Sequence, residues 1–143
     1  MREYTNYLKP ELRENELNYS MAILSFKNRK FEDSLDYFNK MKITDIMEKM
    51  NVRIYTLMNY IELKAYESAL SQVAALKQFS KENKEIPHLK VDSLKNSIRF
   101  FDEIVKAEAN EKKISRQVYD GALSIRFFFQ KQYIMEKMEE LLE

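Results

Sequence analysis

The chain has 143 residues, of which 45% are apolar, and this is enough for one domain with a continuous core. Its 24 Lys and Arg residues nearly balance 23 Asp and Glu residues, and the net charge of +1 provides no field that would by itself recruit nucleic acid or an anionic membrane. The absence of cysteine excludes disulfides, thiolate catalysis and cysteine-ligated zinc, and it is compatible with a reducing cytoplasm, where we place the protein.

Turn-forming residues are scarce, because the chain contains one glycine and two prolines. We therefore expect long helices with short connections and few turns that need a positive φ. No apolar run reaches 18 residues, and the residues after Met1 are polar or charged, so neither a membrane span nor a secretory leader is expected.

The first two predicted helices are marked by apolar residues at a spacing near 3.6. Pro10 suits a first helical position, and the spacing after it predicts a helix over residues 10–28. A polar break at residues 28–30 separates it from a second helix that ends near Lys42. The apolar residues of the two stripes are Leu12, Leu17, Met21 and Leu24, followed by Phe31, Leu35, Phe38 and Met41.

The next two helices follow the same pattern. Thr44 is the expected N-cap of the third helix, with Asp45 in its first turn, and this helix runs to about Leu63. Lys64 and Ala65 form a tight corner before a fourth helix, and the polar run at residues 80–85 closes that helix. The stripe residues are Met47, Met50, Ile54, Leu57 and Ile61, and then Tyr66, Ala69, Leu70, Val73, Leu76 and Phe79.

The C-terminal part is predicted to hold one long helix and shorter ones. The long helix runs from just after Pro87 to about Ala109. Ile114, Val118, Leu123 and Ile125 can share a helix, but Gly121 and the run Phe127–Phe129 predict a break. A short helix over residues 133–142 closes the chain, so the fold class is all-α with about six to seven helices.

An internal repeat organises the first half of the chain. Residues 31–38 align with residues 66–73 at an offset of 35, with aromatic, acidic, small and leucine positions in common. A two-helix unit of this length is typical of a helical array, because one hairpin cannot bury its apolar face alone. We predict a single domain over residues 1–143, with repeat 1 at 11–42, repeat 2 at 45–80 and capping helices at 87–143.

Both segments resemble tetratricopeptide repeats, whose second helix opens with an aromatic, an acid and a small residue followed by an aliphatic one. Ser34 and Ala69 fill the small position, where the two helices of a unit cross closely. The chain departs from the family pattern at the inter-helix glycine, which is replaced by Arg29 and Lys64. The resemblance implies a right-handed superhelix of antiparallel helix hairpins.

The whole pattern also resembles the C-terminal segments of large, uncharacterised bacterial repeat proteins. This resemblance implies that residues 1–9, with Tyr4, Tyr7 and Leu8, continue an earlier repeat and that the chain is a piece of a longer protein.

The tetratricopeptide resemblance also implies a partner-binding groove lined by the first helix of each unit. Most of the transferred positions are apolar, so a clamp for a peptide carboxylate is not expected. The groove is either covered by the chain itself or open to a partner helix or apolar peptide. The transferred positions are Tyr19, Ile23, Phe26 and Lys27 in the first unit, and Ile54, Met58, Ile61 and Glu62 in the second.

Residues suited to catalysis are few. His88 is the single histidine and is best explained as a solvated residue in a first helical turn. The lone Gly121 excludes glycine-rich phosphate loops, and the acidic residues fall mostly on polar helix faces. We expect no catalytic residues, no metal and no cofactor, and hence no enzyme.

The expected function is a non-catalytic protein-interaction or scaffolding module whose partner is a protein or peptide. A purely structural C-terminal cap of a larger helical solenoid is the alternative, and exposed repeat faces would also allow self-association. A nucleic-acid-binding repeat is the least favoured function, because the basic clusters are interleaved with acids.

Overall fold

The computed structural model describes residues 10–143, and the regular elements of this range are seven α-helices. Within the same range there is no β-strand, only an isolated bridge between Ile114 and Leu142, so the predicted all-α class is confirmed. The helices are α1 (Pro10–Lys27), α2 (Phe31–Asn39), α3 (Ile46–Glu62), α4 (Tyr66–Glu82), α5 (His88–Ala109), α6 (Arg116–Ser124) and α7 (Lys131–Glu140).

The helices form two compact units that meet in sequence between Ala65 and Tyr66. We call the unit of α1–α3 unit 1 and the unit of α4–α7 unit 2. The boundary separates the two helices of the predicted repeat 2. The single domain and the right-handed superhelix stay predictions, and Tyr4, Tyr7 and Leu8 lie outside the described residues.

Several helix starts lie where the sequence predicted them. Pro10 occupies the first position of α1, where its missing N–H costs no hydrogen bond. Helices α2 and α4 begin at Phe31 and Tyr66, which are 35 residues apart, the offset of the repeat. Helix α5 begins at His88, directly after Pro87.

Other predicted boundaries were wrong. The N-cap of α3 is Asp45 and not Thr44, because Oδ2 of Asp45 accepts a hydrogen bond of 2.9 Å from the backbone N–H of Glu48. Helix α2 ends at Asn39, one turn before the predicted end. By contrast, the break predicted near Gly121 and Phe127–Phe129 is confirmed at residues 125–130, although Gly121 itself lies inside α6.

The turns correct a further expectation, since several of them use a positive φ without glycine. Arg29, Lys64 and Glu111 have φ values of 63°, 58° and 53°. After Arg29, Lys30 donates its backbone N–H to the carbonyl of Ser25, five residues earlier. The residues that follow Lys64 and Glu111 make the same type of backbone hydrogen bond. This is the Schellman arrangement, in which a left-handed residue ends the helix. Arg29 and Lys64 therefore adopt the conformation that favours glycine.

Unit 1 is an α1–α2 hairpin on which α3 packs. Its core contains Ala22 from α1, Phe38 from α2 and Val52 from α3. A side-chain amide fixes the connection between α2 and α3, because Asn15 donates to the carbonyl of Lys42 at 2.6 Å and accepts from its N–H at 2.9 Å.

Unit 2 is an α4–α5 hairpin with α7 packed against α5 and α6. Phe100 and Phe128 are fully buried, and their ring centroids are 5.1 Å apart. The segment before α7 is fixed by Ser97, whose hydroxyl lies 2.7 Å from the carbonyl oxygen of Phe129. The C-terminal residues pair with the α5–α6 connection, where Ile114 donates its N–H to the carbonyl of Leu141.

Candidate protein-interaction surface

The predicted groove residues of α1 take part in the packing of unit 1. Tyr19 and Ile23 are partly buried against the core cluster. The Phe26 ring lies in edge contact with Phe31 at 5.5 Å and with Tyr55 at 5.6 Å. Of the four predicted positions on this helix, Lys27 is exposed. The apolar members of the set are therefore occupied at least in part by contacts within the unit.

The predicted groove residues of α3 are less accessible still. Ile54 and Met58 are each 2% exposed, and Ile61 is 1% exposed. The side chain of Glu62 is 8% exposed and lies 4.0 Å from the guanidinium of Arg29. These three apolar side chains therefore have almost no accessible surface. The partner-binding role of the eight positions stays a prediction.

The small positions of the predicted helix crossings are buried. Ser34 and Ala69 are both fully buried, and Phe38 and Val73, four residues further on, are buried as well. Ser34 also has a polar role, because its Oγ accepts a hydrogen bond of 2.9 Å from Nδ2 of Asn59.

An apolar stripe lies on the surface of α1, and we call Leu17, Met21 and Leu24 the α1 stripe. These residues are 37%, 38% and 50% exposed, and their spacing of four and three places them on one side of the helix. Spacing of this kind usually identifies the buried face of a helix. In α1 it identifies a solvent-facing one.

The buried face of α1 explains this inversion. It contains Asn18, Ala22 and Ser25, whose short side chains allow a neighbouring helix to approach closely. Helix α2 also has a small buried residue, Ser34. Sequence analysis could have found the stripe by asking which face of α1 carries the small residues, rather than which face carries the large apolar ones.

Polar clusters of the kind that bind metals are absent from residues 10–143, where no three His, Asp or Glu side chains are placed to share an ion. His88 is exposed at the start of α5, with Nε2 at 3.8 Å from Oδ2 of Asp92. Across the same residues, no helix combines the length and the apolar character needed to cross a membrane.

Comparison of the chain with protein-family models, with curated proteins and with solved structures gives no match.

Proposed function

We propose that the chain is a non-catalytic protein-interaction module built of tetratricopeptide-like helix hairpins, and that the α1 stripe binds an amphipathic helix of a partner protein. The observation that carries this proposal is the exposure of Leu17, Met21 and Leu24 on one side of an 18-residue helix. Large apolar residues at i, i+4 and i+7 are the anchors by which helices recognise one another, and their burial is favourable by about 25 cal/mol per Å² of apolar surface.

The repeat supports the hairpin part of the proposal. Phe31 and Tyr66 begin corresponding helices, and Arg29 and Lys64 end the preceding helices in the same left-handed conformation. The small buried positions Ser34 and Ala69 also correspond at this offset. Two hairpins with matched starts, turns and crossing points are what a helical array needs, because neighbouring units then stack in register.

The charges around the stripe favour a helical partner over a flat apolar surface. Glu11, Glu14 and Glu16 outnumber Arg13 toward the N-terminal end of α1, and Lys27 lies at its C-terminal end. A helix laid antiparallel against α1, with the same acidic start and basic end, would place opposite charges together at both ends of the contact. Such complementarity fixes orientation and speeds association.

A photo-crosslinking experiment tests the proposal. Met21 is replaced by p-benzoylphenylalanine in the source cells, and Asp36, an exposed residue of α2, receives the same replacement as the control. We expect a cross-link to one protein from position 21 but not from position 36. The cross-linked peptide should contain apolar residues at helical spacing, and Leu17→Asp with Leu24→Asp should abolish the product.

Other outcomes contradict the proposal. Equal yields from positions 21 and 36 would show that the stripe is not a specific contact. Cross-links to a second copy of the chain alone would replace the partner helix by self-association.

The same stripe favours one second function, the structural cap of a longer helical solenoid, because an exposed apolar face on α1 could also be covered by a preceding hairpin. In that case position 21 would cross-link within its own polypeptide, and a partner protein would not be recovered.

A further inference from the structure

The α4–α5 hairpin contains an open cavity of about 330 Å³ whose seven lining residues include four cations. We call this cavity the cationic cleft. Helix α4 contributes Lys77 and Lys81, and helix α5 contributes Lys95, Arg99 and the single lining carboxylate, Asp102. Four cations and one anion thus surround a space within the size range of small-molecule sites.

The register of the hairpin brings these side chains together. Lys77 and Lys81 are four residues apart on α4, as are Lys95 and Arg99 on α5, so each pair lies on one face of its helix. Nζ of Lys77 on α4 lies 3.9 Å from Oδ2 of Asp102 on α5. This contact joins the two helices at one end of the cleft.

The positive charge of the cleft is largely uncompensated. Oδ2 of Asp102 accepts a hydrogen bond of 2.8 Å from Nζ of Lys106, a residue outside the cleft lining, and this bond raises the pKa of Lys106. Within residues 10–143, no ion pair reaches Lys81, Lys95 or Arg99. Three of the four lining cations therefore have no ion-pair partner among these residues, and Asp102 is the single carboxylate beside them.

The remaining lining defines what chemistry fits. Ile98 is 4% exposed and lies in the apolar part of the lining. The Ser80 hydroxyl donates to the carbonyl of Lys77 at 2.8 Å, so it offers the cavity an acceptor rather than a donor. Arg99 stacks over the Phe100 ring at 4.7 Å, which orients its planar guanidinium. The donors available to a ligand are thus charged.

We propose that the cationic cleft binds a compact phosphate group with two or more negative charges, either as a free organic phosphate or as a lipid headgroup. Convergent cations from two helices fit a group that presents several charged oxygens within one cavity, and an oriented Arg can bind two of those oxygens at once. A nucleic-acid backbone would instead need cations spaced along an extended face, whereas the chain as a whole has a net charge of only +1.

Titration of the ¹⁵N-labelled full chain with sodium tripolyphosphate, followed by NMR, tests the proposal. We expect shifts confined to residues around 77–81 and 95–102, with saturation at one ligand per chain and weaker binding as salt is raised. Lys81→Gln with Lys95→Gln should lower the affinity about tenfold or more. Both side chains are exposed, so the variant should fold, and its circular dichroism verifies this.

A charge-matched control separates a site from general attraction. Lys112→Gln with Lys113→Gln removes two exposed cations of unit 2 that do not line the cleft. This control should change the affinity less than about twofold, because neither side chain lines the cleft. Equal losses in the two double variants, or no shifts in the wild-type chain, would overturn the proposal.

Vesicles and an oligonucleotide distinguish the sources of phosphate. Flotation with phosphatidic acid vesicles but not with phosphatidylcholine vesicles, lost in Lys81→Gln with Lys95→Gln, would identify a lipid headgroup. Tripolyphosphate binding without flotation would identify a free phosphate. Tighter binding of a single-stranded 12-mer than of tripolyphosphate, with shifts beyond the cleft, would reject the compact ligand in favour of nucleic acid.

Discussion

Replacing Ser34 by alanine removes the acceptor of a buried hydrogen bond in unit 1. Ser34 and Asn59 are both fully buried, and Nδ2 of Asn59 donates to Oγ of Ser34 at 2.9 Å. The other amide atom, Oδ1 of Asn59, is already buried without a hydrogen-bond partner. Ser34→Ala would therefore leave a buried primary amide with no partner from α2, in a place that water does not reach.

The loss of stability in Ser34→Ala has two parts: the hydrogen bond is lost, and a buried polar group is left without a partner. A typical hydrogen bond contributes about 1 kcal/mol, whereas an unsatisfied buried polar group costs roughly 1–3 kcal/mol. We expect Ser34→Ala to lower the free energy of unfolding by about 2 kcal/mol. For a chain of this size that loss corresponds to a fall in Tm of about 4–8 °C.

The double variant Ser34→Ala with Asn59→Leu gives the sharper test. Leucine has the same number of side-chain heavy atoms as asparagine, so the pair of polar groups is replaced by apolar groups of similar shape. Replacing both partners of a buried hydrogen bond can be nearly neutral, and we expect the double variant to lie within about 1 kcal/mol of the wild type. The repeat supplies a precedent, since Ala69 stands at the position that corresponds to Ser34 and is fully buried.

The wild type, Ser34→Ala, Asn59→Leu and the double variant form a double-mutant cycle. Their urea unfolding, followed by circular dichroism, measures the free energy of unfolding of each protein. The reasoning is refuted if Ser34→Ala changes the free energy of unfolding by less than about 0.5 kcal/mol, because the amide would then have another partner. It is also refuted if the two single changes simply add, because the coupling between groups in contact should reach roughly 0.5–3 kcal/mol.

Four further substitutions at three sites test other local features, each by urea unfolding. Lys64→Gly should stabilise the chain by up to about 1 kcal/mol, because φ at this turn is 58°, and Lys64→Val should destabilise it. Gly121→Ala should add about 0.5–1 kcal/mol, since a Cβ there meets nothing within 4 Å and the backbone is helical; a loss would contradict this. Asn15→Ala should cost about 1 kcal/mol and speed hydrogen exchange at Lys42, whereas unchanged exchange would mean that the amide does not fix this connection.

Sequence analysis predicted those parts of the fold that depend on neighbours along the chain. The starts of α2 and α4 follow from the repeat, and the start of α5 follows from Pro87. The end of α2 was not predicted correctly. The loop after Asn39 is held by Asn15, which binds Lys42 although the two residues are 27 positions apart in the sequence. A contact over that distance leaves no periodic signal in the sequence.

The candidate surfaces show the same limit. The register of the repeat identified Ile54 and Met58 as members of one face, but their accessibility depends on what covers them, which spacing cannot express. The lysine and arginine pairs of the cationic cleft have helical spacing in the sequence. The two pairs come together only because α4 and α5 pack antiparallel in a particular register. The contact between Lys77 and Asp102 shows this register in the folded hairpin, but spacing along the sequence does not.

Both proposed surfaces include residues that do not help the isolated fold. Leu17 and Leu24 expose apolar area to water, and Lys81 and Lys95 add like charges to one cavity. Most residues of a natural sequence favour its fold. We expect the few that lower stability to serve a function instead. Leu24→Gln and Lys95→Gln should therefore leave the free energy of unfolding within about 0.5 kcal/mol of the wild type, or raise it. A marked loss of stability in either variant would assign that residue to the fold, and the corresponding surface would lose its main support.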